Sequence, residues 1–150
     1  MTIIQKFYLY IKPIIMKAKA IAFIMFTMAA ISGCNKDLAA DWAGTYNGSS
    51  NSSNTVQRVV VTDVDKKAVK MELQTLVFGS YYTFATIANG TLTNATTVTV
   101  NETGTIAGET DPYQFTGSGT LNGTTLTISG QAVNKNNASD VKLYYFSGNR

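Results

Sequence analysis

The chain has 150 residues, 12 of them basic and 9 acidic, with no histidine and a single cysteine, Cys34. That composition excludes histidine-dependent catalytic triads, zinc sites built from His and Cys, and an internal disulfide framework. Lys6, Lys12, Lys17 and Lys19 all precede Cys34, so the remainder carries 8 basic against 9 acidic residues and offers no basic footprint for nucleic acid.

The first element is a leader. Residues 20–33 form an uncharged run, AIAFIMFTMAAISG, preceded by Lys17 and Lys19 and followed at once by Cys34. Fourteen residues are too few for a membrane-spanning helix, which needs about 20, but suit the apolar region of a signal peptide. Ala30-Ile31-Ser32-Gly33-Cys34 resembles the lipobox of a bacterial lipoprotein. The resemblance implies cleavage before Cys34, lipid attachment at that residue, and a mature chain of Cys34–Arg150. Met16 begins a leader of ordinary length, so both Met1 and Met16 stand as starts. Cys34-Asn35-Lys36-Asp37 is similar to the surface-export signal of Bacteroidetes lipoproteins, with one acidic residue where that signal has two. The expected organisation is a signal peptide over 1–33, a lipidated tether over 34–40 and one domain over 41–150.

Past Ala40 there is no helical periodicity. Short alternating segments are separated by turn residues, and Thr is abundant, as in strands. The first strand contains Trp42 and Tyr46. A second covers Val56–Val64, and Asp65-Lys66-Lys67 turns it into the third, Ala68–Phe78, whose Val69, Met71, Leu73, Thr75 and Val77 share one face. Tyr81–Ala88 is the fourth, with Tyr82 and Phe84 on one face and Tyr81 and Ile87 on the other. Asn89-Gly90 predicts a type I′ hairpin turn into Thr91–Asn101, and a bulge or second turn is expected at Asn94-Ala95.

Glu102–Pro112 reads as a loop. Tyr113–Leu121 follows, then an Asn122-Gly123 turn, Thr124–Ser129, a polar loop over Gln131–Asp140, and Val141–Phe146. Gly117 and Gly119 predict a sharp bend or a closely packed neighbour. The fold class is all-β: an antiparallel up-and-down meander of about eight strands. Closure into a barrel removes the two open edges of such a sheet. The alternative is a β-sandwich.

Asp41-Trp42-Ala43-Gly44-Thr45-Tyr46 resembles the opening strand of lipocalin-like and calycin-like barrels, in which a Trp plugs one end. Gly117–Ile128, a Gly-rich strand turning through Asn-Gly into a Thr-rich one, is similar to small lipocalin-like lipoproteins of Bacteroidetes. The resemblance implies a closed barrel and a binding role. No arginine on the last strand is placed to stack on Trp42; Lys142 lies there and Arg150 lies beyond it.

Catalysis would have to rest on carboxylates. Asp63/Asp65 and Glu109/Asp111 have i, i+2 spacing, but both pairs abut turns, where acids serve the backbone. No enzyme activity, cofactor or metal is therefore expected. Two binding roles remain. One is a barrel holding a small apolar ligand in a cavity lined by Val69, Met71, Leu73, Tyr82, Phe84 and Phe115. The other is a solid-cored surface protein that binds an envelope protein or a polysaccharide through surplus rings in Tyr81-Tyr82 and Tyr144-Tyr145-Phe146. The expected location is the outer membrane, surface-exposed or facing the periplasm, with the lipid as membrane contact.

Overall fold

The computed structural model describes residues 36–50 and 56–150; the leader, Cys34 and both candidate starts lie outside the described residues. Eight strands follow in order: β1 (Gly44–Ser49), β2 (Arg58–Asp65), β3 (Ala68–Val77), β4 (Ser80–Asn94), β5 (Thr97–Gly104), β6 (Tyr113–Asn122), β7 (Thr125–Asn134) and β8 (Val141–Asn149). Each pairs antiparallel with the next, and β8 returns to β1 through Asn47–Asn149 to Ser49–Ser147. The meander is thus a closed up-and-down barrel and not a sandwich.

Period-two alternation fills the interior. Val59 and Val61, Val69 and Met71 and Leu73, Val98 and Val100, and Leu126 and Ile128 are all buried on the inner face. On β8 the inner set is Lys142, Tyr144 and Phe146, whereas Val141 and Leu143 are exposed. An eight-stranded barrel is just wide enough to be packed by its own side chains.

The chain enters at one end of the barrel and plugs it. Leu38 N–H donates to Lys66 O at 2.9 Å, and Ala39 and Trp42 are fully buried. Trp42 Nε1 donates to Ala95 O at 3.0 Å, and the Tyr46 hydroxyl donates to Trp42 O at 2.8 Å. Arg150 closes this end: its Nη1 donates to Ala43 O at 3.0 Å, and its guanidinium lies 5.7 Å from the Tyr46 ring centre. A last-strand arginine is thus unnecessary. Because Leu38 and Ala39 dock here, the compact unit begins at Asp37, earlier than the expected boundary at Asp41. Trp42 itself lies in a turn, and the strand starts at Gly44.

Several strand boundaries differ from expectation, the largest differences lying in β4, β5, β7 and β8, the last of which runs on past Phe146 to Asn149. Asn89-Gly90 is not a turn but lies inside β4. The chain reverses instead at Ala95-Thr96, where Asn94 Oδ1 accepts Thr96 N–H at 2.9 Å in an Asx-type turn. Gly90 stays in the strand because it is buried: a Cβ there would lie 3.0 Å from both Met71 and Val98. β5 continues to Gly104 and β7 to Asn134, so the loops expected over 102–112 and 131–140 are shorter.

Candidate functional site

The far end of the barrel carries the chemistry. It is framed by the β3–β4 hairpin, the β5–β6 loop and the β7–β8 loop. The hairpin extends past the barrel wall. β2 pairs with β3 only as far as Arg58–Gln74, and β5 pairs with β4 only from Thr91 onward. The ribbon over Thr75–Tyr82 therefore has no neighbouring strand paired to it among the described residues; the Leu76 N–H, near its base, donates to Gln57 Oε1 at 2.9 Å.

Its apex is Phe78-Gly79, with φ values of 49° and 83°. Two consecutive positive φ values mark the type I′ geometry that suits a two-residue hairpin. Asn, Asp and Gly take that conformation readily, whereas a bulky side chain is strained in it. Phe78 is nevertheless 104% exposed. Leu76, Val77, Tyr81 and Tyr82 are exposed around it. The register pairs Leu76 with Tyr81 and Thr75 with Tyr82, so one ring lies on each side of the ribbon. Arg58 binds the outer side: its guanidinium sits 3.7 Å from the Tyr81 ring centre, and its Nε donates to Gln74 Oε1 at 2.6 Å. Such a cation–ring contact is attractive.

The inner side of the ribbon leads to a cavity of about 80 Å³ lined by Leu73, Phe84, Ala85, Ile106, Phe115, Ala132, Lys142 and Tyr144. Of the residues expected to line a ligand site, Leu73, Phe84 and Phe115 do so. Val69 and Met71 are fully buried in the core instead. Tyr82 is 58% exposed beyond the rim, because the strand outruns the wall. Drug-sized ligand sites measure about 300–1,000 Å³, so this cavity is several times too small for one.

A seam beside the cavity is sealed by side chains. Where β4 leaves β5, the unpaired amides of Ala88 and Asn89 donate to Glu102 Oε1 and Oε2 at 2.5 and 3.0 Å. Ile106 bridges to Ala85, and Ala107 N–H donates to Phe84 O at 2.7 Å. Tyr144 lies across Gly117 and Gly130, and its hydroxyl donates to Thr116 O at 3.1 Å. Burial, reinforced by the Glu102 charge, pushes the Tyr144 phenol up to about 12.

The rim acids are all engaged. Asp140 accepts from Tyr113 Oη at 2.5 Å and from Lys142 Nζ at 3.1 Å; Lys142 also pairs with Glu109 at 3.1 Å. Asp111 accepts from Asn134 Nδ2 at 3.1 Å and Asn136 Nδ2 at 2.8 Å. The Tyr113 hydroxyl holds the Asp140 carboxyl below its ordinary range, with Lys142 and Asn134 adding to it. Bonds from Asn134 and Asn136 lower Asp111, and Glu109, Tyr113 and Asp140 raise Lys142. Asp63 and Asp65 lie at the opposite end, where a register shift separates them and Asp65 Oδ1 accepts Lys66 N–H at 2.7 Å. Among the described residues no cluster of three or more Asp, Glu, Cys or His is arranged to hold a metal.

The exposed hairpin apex, which alternation hides, is what the sequence reading missed. Phe78-Gly79 lacks the usual Asn-Gly or Asp-Gly turn signal, so Phe78 reads as the end of a strand. Tyr81 and Tyr82 were legible as surplus rings, and the structure exposes both. Tyr144 and Phe146 are buried, leaving Tyr145 half-buried on the outer face. No protein family, curated protein or solved structure matches the chain.

Proposed function

We propose that this chain is a lipid-anchored envelope protein whose lipocalin-like barrel is a rigid carrier for an interaction site, the β3–β4 hairpin apex. The observation that carries the reading is Phe78, fully exposed in a strained backbone conformation and surrounded by Leu76, Val77, Tyr81 and Tyr82. Folding gains nothing from a ring in open solvent, whereas binding gains from an aromatic knob beside Tyr and Arg, the residue types enriched in binding hot spots. The role proposed is binding and not catalysis, since each rim carboxylate already serves a structural partner.

The anchor proposed is a diacylglycerol on Cys34, with an N-acyl chain, in the outer membrane. Two or more acyl chains hold a protein stably, where one gives only marginal binding. Docking starts at Asp37–Leu38, so only Asn35 and Lys36 separate the lipidated residue from the barrel. Such a leash joins the proposed anchor to the Trp42 end of the barrel, the end opposite the hairpin.

A photoreactive phenylalanine analogue at position 78 should give adducts in living cells, and the same analogue at Gly123, at the Trp42 end, should give none. Adducts from Gly123 alone would contradict the reading. For the anchor, Cys34→Ser should abolish palmitate incorporation and release the protein from the membrane fraction or leave the precursor uncleaved. Labelling at the wild-type level would refute it.

A second reading, a small apolar ligand at the barrel mouth, is favoured by the apolar lining of the 80 Å³ cavity and by Val77 and Tyr82 on the same side of the ribbon above it. It requires the hairpin to swing outward. Native mass spectrometry of protein taken from cells would show a bound lipid or other apolar mass if this reading holds.

A further inference from the structure

Building on that reading, we infer that the hairpin apex docks on a lipid bilayer, namely one facing the membrane that holds the anchor. Three features order themselves along the ribbon as a bilayer surface does. The outermost residues, Val77 and Phe78, are apolar and exposed. One to two pairs behind them sit Tyr81 and Tyr82, on opposite sides of the ribbon. Behind those lies one cation, Arg58, held over the Tyr81 ring at 3.7 Å. The sequence bilayer core, aromatic belt and phosphate layer is met in that order, because tyrosine rings favour the membrane–water boundary and arginine pairs with phosphate.

The spacing agrees. Two to three residues of strand separate Phe78 from the tyrosines, about 7–10 Å at about 3.3 Å per residue, which is close to the depth at which interfacial segments settle. No charged residue lies between Glu72 and Glu102, so the ribbon itself carries no carboxylate to be repelled by anionic lipid or desolvated on insertion. Glu72, at its base, is paired with Lys70 at 2.6 Å. The hairpin and the Trp42 plug lie at opposite ends of the barrel, and the chain joins the barrel at the plugged end. With the proposed lipid attached through that end, the bilayer inferred to meet the apex is a second one.

The test uses mature, lipidated protein reconstituted in donor vesicles and measures capture of dye-filled acceptor vesicles. The acceptors are phosphatidylcholine alone or phosphatidylcholine with phosphatidylglycerol. Wild-type donors should capture acceptors and protein-free donors should not. Phe78→Asn combined with Tyr82→Ser should reduce capture about tenfold or more, given the apolar area removed. Arg58→Gln should erase the preference for anionic acceptors while leaving capture by phosphatidylcholine. Near-ultraviolet dichroism from Trp42, at the other end, verifies that each variant keeps its fold. Failure of wild-type donors to capture either acceptor overturns the bilayer inference, as does capture unchanged in the double variant. If capture fails while the analogue at position 78 still gives protein adducts in cells, the interaction reading survives with a protein partner. If both fail, both readings fall.

Discussion

Tyr144 shows how single residues set this barrel. Its ring needs space that two neighbouring strands provide by having no side chain: Gly117 and Gly130 face each other in the β6–β7 register, and Gly130 faces Tyr144 in the β7–β8 register. A Cβ on Gly117 would lie 2.7 Å from the Tyr144 hydroxyl, and one on Gly130 would collide with the same ring and with Thr116 O. Gly130→Ala should therefore destabilise the protein by about 1–3 kcal/mol, the usual cost of overpacking, as read from urea unfolding. The phenol adds a pH dependence. Its folded pKa, about 12, lies above the unfolded value of about 10. Its contribution is thus fully present below about pH 10 and is lost as pH rises toward 12. Tyr144→Phe should flatten the loss of stability over that alkaline range. If the two proteins titrate alike there, Tyr144 is not the group responsible.

At the scale of elements, two devices replace strand pairing. Glu102 caps the amides of Ala88 and Asn89 where β4 has left β5; both amides lie at the surface, where water can replace the carboxylate, so Glu102→Ala should cost about 0.5–1.5 kcal/mol. Hydrogen exchange should quicken at Ala88 and Asn89 before the rest of β4, and uniform quickening would argue against a local cap. The second device is the rim network on Asp140. Its folded pKa lies below the unfolded one, so its stabilisation is present above about pH 4 and is lost as pH falls through the folded value. Asp140→Asn should make the acid limb of the stability curve shallower.

These elements also mark how far the sequence could be read. Alternation located all the strands and the inner face of β3, because one face of that strand is buried. Which face of β8 turns inward it left open, since the inner set there includes Lys142 and the outer set the apolar Val141 and Leu143. It failed at Asn89-Gly90, where local turn chemistry was overridden by a buried glycine and by a carboxylate thirteen residues away at Glu102. It could not place Tyr82, since the length by which a hairpin overshoots its barrel depends on where the neighbouring strands stop. Arg150 escaped notice as the closing cation because its ring partner is Tyr46 and not Trp42.

For the whole molecule, the division of labour is the claim to test. The Trp42 end, the alternating interior, the Glu102 seam and the Asp140 rim account for the closed barrel, and none of them involves the hairpin apex. Phe78, held at φ 49° and fully exposed, is then kept for binding at a cost to folding. The most direct measurement is urea unfolding of Phe78→Asn beside the wild type. Asn accepts the left-handed conformation that strains Phe, and no packing is lost, so the variant should be more stable by about 1 kcal/mol with an unchanged dependence on urea. A variant less stable than the wild type would show that Phe78 belongs to the fold and would contradict the account.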